Sequence, residues 1–320
     1  MELVTKYTLL YAIVLMLVAL GGMFSERSGI INIALEGIMT VGGTVGILML
    51  NILGTSVSAF TYVTVSILSA IAAGVIYSAL LAFSAINLKA DQTIGGTALN
   101  LLATSLSLVI VKKYNNATVG KQSPKMQYSN SQFLFKIGNV EVSVFLIIGI
   151  VLLIIAYVLL YKTRFGLRLR ACGEHPQAAD SVGINVYKMR WAGVLISGLL
   201  GGLGGFAYIV PSVSDWNFEV GVTGMGFLAL AVMIFGQWHP LKIAAAAVFF
   251  ALFKSLANIY DSVSVLKSFG TWVTKTTGLT LTKEIYNMMP FLASTIVLAL
   301  TSKNSRAPKA EGVPYDKGQR

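Results

Sequence analysis

Apolar residues run in long blocks along this chain, and the polar and charged residues are confined to the gaps between them. Nine blocks approach the roughly 20 residues that a helix needs to cross a bilayer. They are 7–24, 29–53, 60–86, 93–111, 142–161, 191–211, 223–236, 240–256 and 285–301. The pattern predicts an all-α, polytopic membrane bundle of about nine helices, within a range of about eight to ten. The seventh and eighth blocks are short and separated only by Gln237, Trp238, His239 and Pro240. They predict either a tight helical hairpin or a pair of partly inserted helices. Residues 1–301 thus form one transmembrane domain, with a polar loop at 162–190. The tail 302–320 is polar, basic and contains Pro308 and Pro314, a composition that predicts disorder.

Composition sharpens this picture. The chain is 55% hydrophobic and 12% charged, with a mean hydropathy of +0.75, which excludes an ordinary soluble domain. A net charge of +11 would suggest nucleic acid in a soluble protein. Here the basic residues sit between spans, where they set orientation, and no nucleic-acid partner is expected. If nine spans alternate, Arg27, Arg164, Arg168, Arg170, Arg190, Arg306 and Arg320 all fall on one side. That side is expected to be the cytoplasm, with the N-terminus outside and the tail inside. Lys112, Lys113, Lys121, Lys125 and Lys136 lie in the loop assigned to the outside, and the arginines outweigh them. The first block lacks an A-x-A cleavage site and reads as a retained span. A single cysteine, Cys172, excludes an intramolecular disulfide, and two histidines are too few for a structural zinc site. Neither a metal nor a cofactor is expected.

The motifs narrow the chemistry. Gly202-Leu203-Gly204-Gly205-Phe206-Ala207 fits a dinucleotide-binding pattern, but it lies inside an apolar block with no strand before it. Together with Gly198 and Gly201, these glycines repeat at four-residue intervals, which lets helix backbones approach closely within the chain. No phosphate-binding loop is present: Gly120-Lys121 lacks the upstream glycine and continues with Gln122. Energy from ATP would have to enter through a partner. Asn32 and Glu36 share one helix face at membrane depth. Such a pair either lines a polar pathway, or hydrates at the interface, or pins a neighbouring group. Asp91 is most simply a helix N-cap, with Thr97 and Asn100 deeper in the same span as candidates to bond a substrate. Asp215, Trp216, Asn217 and Glu219 form an acidic, aromatic loop suited to an external partner or to anchoring at the interface. In the basic loop, Pro176 suits a first helical turn and Gly183 a helix end, predicting a short helix over 176–182. Its small residues Ala178 and Ala179 fit a groove on another protein.

Four stretches carry a resemblance. SERSGIINIALEG (25–37), ADQTIGGTALNLLA (90–103), GLRLRACGEHPQAADSVGINV (166–186) and TGMGFLALAVMIFGQWHP (223–240) are similar to the permease subunits of bacterial ABC importers. The superfamily is that of branched-chain amino acid and simple sugar permeases, and the first and last stretches resemble its nucleoside branch. The resemblance implies a multi-pass subunit of the bacterial cell membrane rather than an enzyme. Its implied partners are a separate ATPase subunit, a second, paralogous permease completing a heterodimer, and an extracytoplasmic lipoprotein that captures nucleoside. It makes Ala178, Ala179 and Gly183 docking elements for the ATPase, flanked by Gly173, Glu174, His175 and Pro176. It makes Asn32, Glu36 and Asn100 candidates for the translocation pathway, to which the position of Thr97 in the same span adds a fourth. Gln177 stands where the importer pattern usually has Glu, and no Leu-Pro follows Gly183. Sugars and branched-chain amino acids are the competing cargoes. An ion-coupled secondary transporter, with Glu36 as its coupling acid, is the alternative from another class.

Overall fold

Helix α8 (Val186–Ile209) is the axis of the bundle and packs on α1 (Glu2–Arg27), α2 (Leu35–Leu53) and α3 (Ala59–Ala82). The glycine repeat explains why. Gly198 lies on Gly74 and Ser78 of α3, Gly202 on Gly42 of α2 and Gly74 of α3, and Gly205 against the Met39 carbonyl of α2. Without side chains on α8 at these points, three helix backbones come into direct contact, and dispersion replaces a hydrophobic drive that lipid does not supply. The expected intramolecular role of these glycines therefore holds, and the apparent dinucleotide motif is the middle of a buried helix.

The computed structural model describes residues 2–259 apart from 55, 139 and 220, the segment 307–318, and scattered positions between 268 and 296. Outside this centre, α4 (Gln92–Val119) packs on α2, while α5 (Val144–Tyr161), the short α9 (Met225–Phe235) and α10 (Pro240–Ile259) pack on α1. Two further helices, α6 (Arg164–Glu174) and α7 (Pro176–Ser181), lie at the end of the bundle that carries Arg27 and Arg190. Among the described residues, seven helices are long and apolar enough to span a membrane: α1 to α5, α8 and α10. Of the ninth predicted span, 285–301, only scattered positions are described. At the opposite end, strand β1 (Lys125–Gln127) pairs antiparallel with β4 (Asp215–Asn217), and β2 (Leu134–Ile137) with β3 (Val140–Ser143). Phe133 anchors this polar loop by inserting beside Phe145 of α5 and Phe206 of α8, with ring centroids 5.8 and 5.6 Å away.

Most helix starts are written locally. Ser58, Asp91, Ser143, Thr163, His175 and Asn185 each accept a backbone N–H in the first turn of the following helix, from α3 to α8. Each cap satisfies a donor that the helix itself cannot. Asp91 takes two, from Thr93 and Ile94 at 2.9 Å.

Three expectations change. The second block is not helical from residue 29, because 28–34 is unwound and α2 begins at Leu35. The basic loop contains an additional helix, α6, whose apolar face (Leu169, Cys172) is buried. Within the tail, the described residues 307–318 pack on the bundle, with Ala310 and Tyr315 buried, through backbone and side-chain bonds that their own composition does not reveal.

Candidate functional site

Helices α2 and α9 lack a capping side chain of their own. Ala34 precedes α2 and Gly224 precedes α9, and neither position supplies an acceptor. Both helices start at breaks in the chain, where backbone donors at membrane depth must find partners within the protein. The partners come from elsewhere in sequence. Asn100 of α4 accepts the Gly37 N–H through Oδ1 at 2.7 Å and donates from Nδ2 to the Ile33 carbonyl at 2.9 Å. It thereby closes the break on both sides. Glu36 of α2 accepts the Gly224 N–H at 3.0 Å and also the N–H groups of Gly226 and Phe227. A carboxylate thus sits at the N-terminus of the half-helix α9, where the helix dipole favours negative charge. Gly226 permits the approach, since a Cβ there would fall 2.5 Å from the Glu36 nitrogen.

The unwound segment is held throughout. Ile31 N–H donates to Gln92 Oε1 at 2.7 Å, and Asn32 Nδ2 donates to Ser197 Oγ at 2.8 Å. Asn32 is fully buried and its Oδ1 has no partner. Of the four pathway candidates, the structure brings Asn32, Glu36 and Asn100 together around the two breaks, where they bond backbone or Ser197. Thr97 stands apart on the exposed face of α4, its hydroxyl turned back to the Thr93 carbonyl at 2.8 Å. We expect Glu36→Ala to destabilise the solubilised protein by about 1–3 kcal/mol, because it leaves backbone donors of α9 unsatisfied. Glu36→Gln keeps an acceptor and should restore most of the loss. Thermal unfolding in detergent reads both, and equal melting of Glu36→Ala and the parent would refute the cap.

At the arginine-rich end, α6 and α7 form a compact unit. His175 Nδ1 accepts the Ala178 N–H at 3.3 Å and starts α7, and Gly183, with φ of +83°, ends it. Gly173 and Pro176 face inward, as does Ala179, which packs with Cys172, Val186 and Tyr315. Glu174 is exposed and lies 3.7 Å from Arg27. The outward face of α7 is therefore Gln177, Ala178, Ser181 and Val182, with Val182 74% exposed. Of the expected pair of small docking residues, only Ala178 is presented outward, because a two-turn helix packed on α6 must turn one side in. The same end carries a latch that the sequence pattern did not suggest. Trp238 Nε1 donates to the Glu26 carboxylate, and Arg27 donates to the Trp238 carbonyl at 3.2 Å. These bonds hold the α9–α10 turn, in which Gln237 and Trp238 adopt left-handed φ of 53° and 52°.

The family model described as branched-chain amino acid transport system / permease component matches residues 4–297. The guanosine ABC transporter permease protein NupQ of Bacillus subtilis is 41% identical over 330 residues, covering 100% of this chain and 98% of that protein. The nucleoside ABC transporter permease protein NupC of Lactococcus lactis is 38% identical over 328 residues, covering 100% and 98%. A putative glucose ABC transporter permease protein, TsgC13 of Haloferax volcanii, is 29% identical over 260 residues, covering 79% and 76%. No solved structure matches the chain.

Proposed function

The chain belongs to the branched-chain amino acid transport system permease family, as the membrane-spanning permease subunit of an ABC importer, and from that premise we propose that its cargo is a nucleoside. The observation that carries this reading is end-to-end similarity to nucleoside and guanosine permeases, against a weaker and partial similarity to a glucose permease. The chemistry agrees with it. A nucleoside carries hydroxyls and base edges but no net charge, and the residues around the breaks are amides, hydroxyls and one carboxylate already engaged by backbone.

In this reading the arginine-rich end faces the cytoplasm, and the N-terminus faces outward. A separate ATPase subunit docks on the outward face of α7, and Ala178 and Val182 enter its groove. A lipoprotein delivers nucleoside at the end that carries β1 and β4. A second, paralogous permease covers α4, whose exposed face carries Ile94, Leu101, Leu102 and Val109 beside Thr93, Thr97 and Thr104. Thr97 then meets the cargo, while Asn32, Glu36 and Asn100 shape the conduit by holding the two breaks. Deleting this subunit should abolish uptake of tritiated guanosine by whole cells while glucose uptake continues. Unchanged guanosine uptake with lost sugar or branched-chain amino acid uptake would overturn the assignment.

A further inference from the structure

The segment 307–318 runs across the arginine-rich end without regular secondary structure and touches both α7 and the break before α2. At one end, Tyr315 is 4% exposed and closes the cluster of Cys172, Ala179 and Val186, and its hydroxyl donates to the Asp180 carboxylate of α7. Its ring also meets Tyr187 edge-on, with centroids 5.3 Å apart. At the other end, Gly312 N–H donates to the Gly29 carbonyl at 3.2 Å, inside the break before α2. Gly312 has φ of +76° and sits against Ile31, so that a side chain there would clash as well as strain the backbone.

Between these ends the segment is tied repeatedly. Ala310 N–H donates to the Gly173 carbonyl of α6 at 2.8 Å. Arg190 Nη1 donates to the Val313 carbonyl at 3.0 Å, while its Nε and Nη2 are buried without partners. Lys89 Nζ lies 2.9 Å from Asp316. Glu311 shares a hydrogen bond with Glu26, in which one of the two carboxyls holds the proton, and Glu26 also holds Trp238 and the α9–α10 turn. One strap thus joins the short helix α7 to the break that positions Glu36.

We propose that this strap carries the movement of α7 to the broken helices α2 and α9, with Tyr315 as the positioning residue that seats α7 on it. The inference rests on the reading of α7 as the ATPase-docking helix. A rigid connection is needed because α7 itself is only Pro176–Ser181 and touches the spans chiefly through α8. To the packing of α7 on α6 and α8 the strap adds a direct bond into the break itself.

The test uses the complete importer, purified with its ATPase and placed in proteoliposomes with its binding protein and tritiated guanosine. In Tyr315→Ala the ATPase should still co-purify and hydrolyse ATP, while guanosine moved per ATP falls about fivefold. Tyr315→Phe, which keeps the ring, should recover most of that ratio. Cys172 reports the strap directly, since it is fully buried beneath Tyr315 and burial pushes its thiol up to about 11. Maleimide should label it slowly in the parent and faster in Tyr315→Ala. An unchanged transport ratio with faster Cys172 labelling overturns the proposal, as does loss of ATPase binding in Tyr315→Ala, which would make the strap part of the docking surface. If Tyr315→Ala does not reach the membrane, Lys89→Asp loosens the strap at its exposed ion pair. The double exchange with Asp316→Lys should then restore the ratio, and a ratio unaffected by Lys89→Asp decides against the strap. Ala178→Glu is the control: an ATPase that still binds that variant refutes the docking reading, independently of the strap.

Discussion

Gly205→Val should leave no folded chain in the membrane. A Cβ at this position would overlap the Met39 carbonyl and crowd its Cα, so that α2 and α8 would have to separate. Neither helix is free to do so. Gly202 already lies on Gly42, and Gly198 and Gly202 lie on Gly74 of α3, which fixes α8 from a second side. Overpacking in a close-packed interior costs about 1–3 kcal/mol and occasionally more. Here the obstacle is backbone on both sides, so the cost falls at or above the upper figure and takes a large share of net stability. Gly95→Ala is the matched control, because the nearest atom to its Cβ would be Ser84 Oγ at 3.5 Å, and alanine favours the helix. Size-exclusion profiles of fluorescently tagged variants read the result. A normal, monodisperse Gly205→Val peak would contradict the packing described.

Ala178→Glu and Val182→Glu should both remove the ATPase from the purified complex while leaving the permease folded. These side chains point outward from α7, so the substitution adds a carboxylate to the docking face without disturbing the chain's own packing. An uncompensated charge buried on association costs about 2–5 kcal/mol, or a loss of about thirtyfold or more in affinity. Ala179→Glu would be a poor probe. Ala179 is buried with Cys172, Val186 and Tyr315, so that variant would break the α6–α7 unit before any partner was met. Retention of the ATPase by both outward variants would place docking elsewhere.

The contrast between Ala178 and Ala179 also shows where sequence reasoning reached its limit. Small residues between Pro176 and Gly183 announce a short helix with caps at fixed offsets, and that helix is present. Which side it turns inward depends on α6 and on Tyr315, more than a hundred residues away. The breaks follow the same rule. Six helices begin at a cap within their own sequence, and the four that span, α3, α4, α5 and α8, start close to their apolar blocks. Helices α2 and α9 are capped in trans by Asn100 and Glu36, so the apolar block at 29–53 hid an unwound segment. Periodicity identified Asn32, Glu36 and Asn100 as polar groups at depth. It could not tell that Glu36 and Asn100 spend their hydrogen bonds on backbone and Asn32 on Ser197, since that is a fact of tertiary contact. The tail was misread for a similar reason: its composition is that of a disordered segment, and its order comes from acceptors and donors on Gly29, Gly173 and Arg190.

The central claim is that ATP hydrolysed by a partner drives a nucleoside through this chain. The most direct measurement is the accumulation of tritiated guanosine in proteoliposomes that hold the complete importer, with ATP enclosed and the binding lipoprotein outside. Accumulation should require both ATP and this subunit, and should persist when proton and sodium gradients are collapsed. Accumulation that follows an ion gradient and ignores ATP would contradict the account, and would return Glu36 to the role of a coupling acid.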